Sequence, residues 1–197
     1  MNLIFFIKSA TVDINSYTIK DIPGSSGRLD VISRCILSAI LGKDSFEKSV
    51  QIWVFLDRYG TFIFNPEVLD YQIFPKSELL FSDNFVDFLQ NYSANKEQQN
   101  LLNSIKASKM SILDAINHFA ILNYNLYILC EQGQDFFKLS SSIQEKENIV
   151  FIIGSQEDEF LNSKELLELK IPTISIGTQS YLASSVIRLL KLHILAL

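Results

Sequence analysis

The sequence predicts a single α/β domain around a mainly parallel sheet, and three observations predict it. Strand-like and helix-like runs alternate through the last third of the chain in the manner of βαβ units. Each of the three apolar runs there meets a glycine at or soon after its carboxyl end: Leu126 to Cys130 before Gly133, Ile149 to Ile153 before Gly154, and Thr173 to Ile176 before Gly177. The chain has 197 residues, 48% of them hydrophobic, which one compact core can accommodate. Residues 1–197 are therefore read as one domain.

The elements follow in order. Leu3 to Ile7 is a β-like apolar run, and the turn-rich Asp21-Ile22-Pro23-Gly24-Ser25-Ser26-Gly27 after it excludes a helix by its proline and glycines. Met1 leads straight into that first run without a basic region, and no small-residue cleavage site follows, which argues against a signal peptide. From Leu29 to Leu41 the apolar residues Leu29, Ile32, Ile36, Ala39 and Ile40 fall at helical spacing. Val50 to Leu56 reads as a buried strand and Thr61 to Phe64 as its hairpin partner across Tyr59-Gly60. Helix-length patterns cover Phe85 to Leu89 and Ile105 to Leu113 and beyond, separated by the polar stretch Asn91 to Asn100, which forces no domain boundary. The last helix, roughly Ser180 to Leu197, is apolar on nearly every face. Either it is clamped inside one monomer's core, or a second copy of the chain covers it; the second reading predicts a homodimer.

Several function classes lack their signatures. The net charge of -5 provides no global basic field, so any RNA binding must be local. The apolar stretches are too short or too interrupted for a membrane span. The two histidines, His118 and His193, sit in apolar helical patterns and read as structural, which leaves no metal motif. Cys35 and Cys130 read as buried thiols, too far apart in sequence to form a framework. There is no Gly-x-Ser-x-Gly elbow, Walker loop or dinucleotide fingerprint. The three strand-end glycines either make tight turns or let backbone approach a ligand in the crevice outside the carboxyl ends of the sheet.

The segment Asp21-Ile-Pro-Gly-Ser-Ser-Gly-Arg-Leu-Asp-Val-Ile-Ser-Arg-Cys35 resembles the amino-terminal signature of the archaeal tRNA pseudouridine N1-methyltransferases, the TrmY-type branch of the SPOUT superfamily. Asn125 to Asp135, Val150 to Gly154 and Ile174 to Gly177 are similar to later family segments in order and approximate spacing. The resemblance implies a SPOUT-type α/β knot: a mainly parallel sheet with helices on both faces and a C-terminal trefoil knot. It also implies a cytoplasmic homodimer that binds S-adenosyl-L-methionine and methylates N1 of the T-loop pseudouridine of tRNA, at position 54. A related rRNA pseudouridine N1-methyltransferase and a non-catalytic SPOUT-fold descendant that binds a ligand or protein are the alternatives.

Carried over residue by residue, the resemblance places Leu129 and Gly154 against the adenosyl group. It places Ile176, Gly177, Thr178, Gln179, Ser180 and Tyr181 in the loop whose backbone would meet adenine. Val186 stands where the family typically has a cysteine, and keeps the apolar contact without the thiol. The family's Gly-Asp-His-x-Gly loop is replaced by Gly154-Ser-Gln-Glu-Asp-Glu159; its three acidic residues would repel RNA phosphates unless the loop points away. On the substrate side, Arg28 is expected to hold a phosphate or the flipped base, and Asp30 to orient the base or accept its N1 proton. Alternatively the two form a structural pair beside the turn, and Arg34, one helical turn on, could join either role.

Overall fold

The computed structural model describes residues 1–94, 96, 100–154 and 159–195. The chain enters through β1 (Asn2–Ser9), whose alternating side chains divide two cores: Leu3, Phe5 and Ile7 face one side of the sheet, Ile4 and Phe6 the other. A 3-10 turn at Ile19–Asp21 leads to α1 (Ile22–Ser25). This one-turn helix corrects the expectation that proline and glycines exclude a helix from the segment. Pro23 lies in the first turn, where a missing N–H loses no bond, and the Asp21 carboxylate caps the turn by accepting from the Gly24 N–H at 3.1 Å.

The longer α2 (Leu29–Ile40) crosses to β2 (Val50–Leu56), which runs parallel to β1 with Leu3 opposite Val50 and Ser9 opposite Leu56. The hairpin partner β3 (Gly60–Phe64) is antiparallel, as expected. Then come α3 (Glu78–Ser93), β4 (Lys106–Ser108) and α4 (Ile112–Ile121). The helix expected from Ile105 therefore begins later. Lys106 to Ser108 pair with Ile63 to Thr61 as a strand, and the reciprocal Ser111–Asp114 capping box starts the helix at Ile112. Of the polar stretch Asn91 to Asn100, residues 95 and 97–99 lie outside the described residues.

The last third alternates as predicted: β5 (Asn125–Asp135), α5 (Phe136–Gln144), β6 (Asn148–Ile153), a 3-10 turn at Glu159–Asn162, α6 (Lys164–Glu168), β7 (Thr173–Ser175) and α7 (Ala183–Ile194). Among the described residues seven strands make one sheet in the order β4-β3-β2-β1-β6-β5-β7, parallel except at the β2-β3 and β3-β4 pairings. Helices cover both faces. Phenylalanines and aliphatic residues of α2, α3, α5 and α7 fill one core, and α4 with Leu166 of α6 packs over Trp53, Phe55 and Phe6 on the other.

Where Leu126 to Cys130 was expected to be a simple strand, β5 continues to Asp135 through a bulge. Leu129 and Gln134 both register against Ile174, so residues 130–133 bow out between them. A Cβ on Gly133 would lie 2.5 Å from the Ile174 carbonyl carbon, and only glycine allows the bow to pass this close to β7.

The final helix is shorter than expected. It starts at Ala183 because Leu182, at φ -60° and ψ 133°, is still extended, and residues 196 and 197 lie outside the described residues. Val186, Ile187, Leu190 and Ile194 face the core, whereas Leu182 and Leu192 are 46% and 43% exposed. Lys191 is buried between α7 and α2, where its Nζ donates to the carbonyls of Leu41 at 2.6 Å and Ala39 at 3.2 Å. These acceptors lie at the end of α2, where carbonyls lack helical partners and a cation meets the negative end of the helix dipole. Among the described residues no helix is long and apolar enough to cross a membrane.

Candidate cofactor cavity and an arginine pair

In chain order the sheet grows from β5 inward to β6 and then outward to β7, so the strand order reverses around β5. Such a reversal opens a crevice beyond the carboxyl ends of the strands. A cavity of about 710 Å³ lies there, walled by the ends of β5 (Ile128 to Gln132), β6 (Ile153, Gly154) and β7 with its following loop. That size is in the range of small-molecule sites.

Eight of the nine residues expected to meet a cofactor line this cavity: Leu129, Gly154, Ile176, Gly177, Gln179, Ser180, Tyr181 and Val186. Thr178 belongs to the same loop but is exposed and does not line the cavity. Leu129, Ile153, Ile176 and Val186 supply an apolar wall suited to a flat ring, and Gly154 keeps the space beside Leu161 open, because a Cβ there would approach Leu161 Cδ1 to 2.7 Å. Gly177 has a positive φ of 153°, and its Cα side is closed over by the Tyr181 ring, whose Oη would lie 3.0 Å from an added Cβ. The loop is thus folded on itself at Gly177.

Sequence reasoning missed several wall residues. Cys130, Glu131 and Gln132 line the cavity from the bulge of β5, and Cys130 is half-buried rather than buried, because the strand leaves the sheet at that point. Their place directly after an apolar strand was the available signal. Leu161, Leu166 and Ile171 close the floor from the turn and helix between β6 and β7, and nothing in their local pattern marks them as pocket residues. Of the acidic loop Gly154 to Glu159, residues 155–158 lie outside the described residues, and Glu159 opens the 3-10 turn that follows.

Arg28 and Asp30 are brought together, but not into the cavity wall. The local fold explains the pairing. A Cβ on Gly27 would lie 1.9 Å from the Thr11 carbonyl oxygen, so that position requires glycine, and Arg28 follows in the left-handed region at φ 69°. Ser26 Oγ, not Arg28, accepts from the Leu29 N–H at the start of α2. The Arg28 guanidinium meets the Asp30 carboxylate with both arms, Nε to Oδ1 at 3.0 Å and a terminal nitrogen to Oδ2 at 3.2 Å. Arg34 donates to the same Oδ2 at 2.6 Å. The Asp30 side chain is only 3% exposed, whereas the two arginines are about one-third exposed. One buried carboxylate thus aims two guanidinium groups outward in fixed geometry.

α7 separates Arg34 from the cavity. Ala183 and Val186 line the cavity, while Ser184, Ser185 and Arg188 share with Arg34 a second groove of about 1110 Å³, floored by Leu37, Leu41, Leu189 and Leu192. Cys35, beside Arg34 on α2, is fully buried, and that burial pushes its thiol well above its ordinary pKa, leaving it a core residue. Burial also lowers Lys191, with Glu47 opposing the shift and Arg188 adding to it. His118 and His193 are both exposed, packing edge-on against Phe119 and against Phe136 and Phe137.

Residues 2–197 match the model of a family described as "Putative SAM-dependent RNA methyltransferase". The chain is similar to the tRNA (pseudouridine(54)-N(1))-methyltransferase of Pyrococcus abyssi, with 30% identity over 200 residues covering 97% of this chain and 96% of that one. The protein of the same name from Thermococcus onnurineus is 27% identical over 180 residues, covering 87% and 85%. Among solved structures, Archaeoglobus fulgidus Nep1 bound to S-adenosylhomocysteine superposes with a TM-score of 0.64 at 14% identity over 100% of both chains, a likeness of fold.

Proposed function

From the premise that this chain belongs to the SAM-dependent RNA methyltransferase family, we propose that it methylates N1 of pseudouridine 54 in the tRNA T-loop, in the cytoplasm. The observation that carries this reading is the cavity at the ends of β5, β6 and β7, where the cofactor residues carried over by resemblance converge, in a chain that aligns along nearly its whole length with an archaeal enzyme of that name.

The cavity fits S-adenosylmethionine on its own chemistry. Leu129, Ile153, Ile176 and Val186 would sandwich the adenine ring, and the loop after β7 presents backbone groups at its edge. When bound, the cofactor supplies an electrophilic sulfonium methyl group. The protein's share is to bind, orient and exclude water, a mode of catalysis consistent with the missing metal and nucleophile motifs. The arginine pair suits the RNA side. Arg28 and Arg34, held by Asp30, are the donors this reading assigns to phosphate oxygens, and Glu78, 3.8 Å from the Arg34 Nε, is the carboxylate a phosphate would replace. Asp30 acts through them. With three guanidinium contacts and 3% exposure, its carboxylate suits an anchor better than a proton acceptor.

The fold reading extends to a trefoil knot near the carboxyl terminus; the support is the family match, since the knot is what the resemblance implies. A homodimer covering α7 is supported by exposed Leu182 and Leu192 and by the leucine floor of the groove between α2 and α7.

The test is methyl transfer from S-adenosylmethionine to two tRNA transcripts, one carrying pseudouridine at position 54 and one carrying uridine. Transfer that requires pseudouridine is expected. Cofactor binding with transfer to neither transcript, but to an rRNA fragment, would move the substrate to rRNA, and absence of cofactor binding would favour a non-catalytic descendant.

A further inference from the structure

Ser175 ends β7 and is 8% exposed, yet its side chain bonds forward to the loop rather than sideways within the sheet. Its hydroxyl donates to the Gly177 carbonyl at 2.7 Å and accepts from the Gly177 N–H at 3.2 Å. One side chain thereby holds the peptide groups on both sides of the Gly177 Cα. The anchor itself is fixed, because Ser175 pairs with Asp135 beyond the bulge of β5 and its neighbour Ile174 is held against both Leu129 and Gln134. On the far side of Gly177, the Tyr181 ring lies so close that an added Cβ would be 3.2 Å from its Cε2. Ser175, Gly177 and Tyr181 all line the cavity, so this clamp shapes a wall of it.

We propose that Ser175 is a positioning residue for the cofactor, its two-bond clamp setting the direction of the loop's backbone groups before S-adenosylmethionine arrives. The proposal rests on the reading of this cavity as the cofactor site. A loop ordered in advance costs less conformational entropy on binding, so the clamp acts on affinity and leaves the chemical step alone. A hydroxyl that merely finished the strand would change stability and leave affinity as it was.

The test is calorimetric titration of the full chain and its variants with S-adenosylmethionine, followed by steady-state methyl transfer to T-loop RNA. Ser175→Ala is expected to weaken cofactor binding about five- to tenfold, the scale of one lost neutral hydrogen bond. The KM for S-adenosylmethionine should rise in parallel, with kcat at saturation unchanged. Ser175→Thr, which keeps the hydroxyl, should bind like the parent. Should Ser175→Ala fail to fold, Ser175→Cys keeps the volume with a weak donor and is expected to show the same weakening. Parent-like affinity in the Ala or Cys variant overturns the clamp, as does equal weakening in Ala and Thr variants. Failure of the parent protein to bind S-adenosylmethionine overturns the cofactor reading beneath it, and so the two failures are told apart.

Discussion

Asp30 is a buried carboxylate whose role depends on what touches it. Its residue type, two positions after an arginine, is compatible with a base, an orienting group or a surface pair. The observed contacts, both arms of Arg28 and one of Arg34, assign its lone pairs to guanidinium groups. Replacing it by asparagine keeps the shape but removes the charge and turns an amide donor toward one arginine. Breaking a well-buried pair costs about 3–5 kcal/mol, and one-third exposure of the arginines reduces this to about 2 kcal/mol by solvent screening. Asp30→Asn is therefore expected to lower the thermal midpoint and to raise KM for tRNA about tenfold, the loss expected if phosphate contacts depend on arginine aim, with cofactor affinity unchanged. Normal tRNA kinetics in a folded Asp30→Asn protein would remove the arginine pair from the substrate site. The glycines read the same way. Gly27 and Gly133 are required by backbone atoms of Thr11 and Ile174 that approach from distant parts of the chain, so the sequence marks the glycines without indicating what passes them.

At the scale of elements, apolar periodicity alone failed where a cap and strand pairing decided. The Ser111–Asp114 capping box is readable from its spacing, and it overrides the apolar periodicity that runs back through Ile105. What periodicity could not show is that Lys106 to Ser108 find an open edge of β3. Ser111→Ala is expected to cost about 1 kcal/mol, seen as a lower unfolding midpoint. The hydrogen bonds from Ser111 hold the Asp114 carboxyl below its ordinary pKa. A carboxyl depressed in the folded state stabilises the protein above its unfolded pKa, and this contribution is lost as pH falls through the folded value. The Ser111→Ala deficit should therefore be present at neutral pH and shrink below about pH 4, where Asp114 protonates in the unfolded chain; a pH-independent deficit in chemical denaturation would contradict this account of the cap.

For the whole molecule, the question is what covers α7. Its core face is satisfied within the monomer, and Lys191 ties it to the end of α2, but Leu182 before its first turn and Leu192 in the leucine-lined groove stay exposed. Leu192→Glu is expected to shift a dimer toward monomer in light-scattering mass measurements while preserving the fold, and a parent protein that is monomeric at micromolar concentration would rule out this interface. The sequence by itself determined the class of fold and the order of the last strands and helices, because those follow from local apolar periodicity and from glycines at strand ends, while the loop that walls the cavity was named by the family resemblance. Tertiary structure alone decided three things: that β7 lies outside β5 with β6 inside, that the bulge of β5 supplies Cys130 to Gln132 to the cavity, and that Asp30 is enclosed by two arginines. Each depends on atoms that meet across long stretches of chain, where strand-edge pairing and burial of charge, not local preference, determine the lowest free energy.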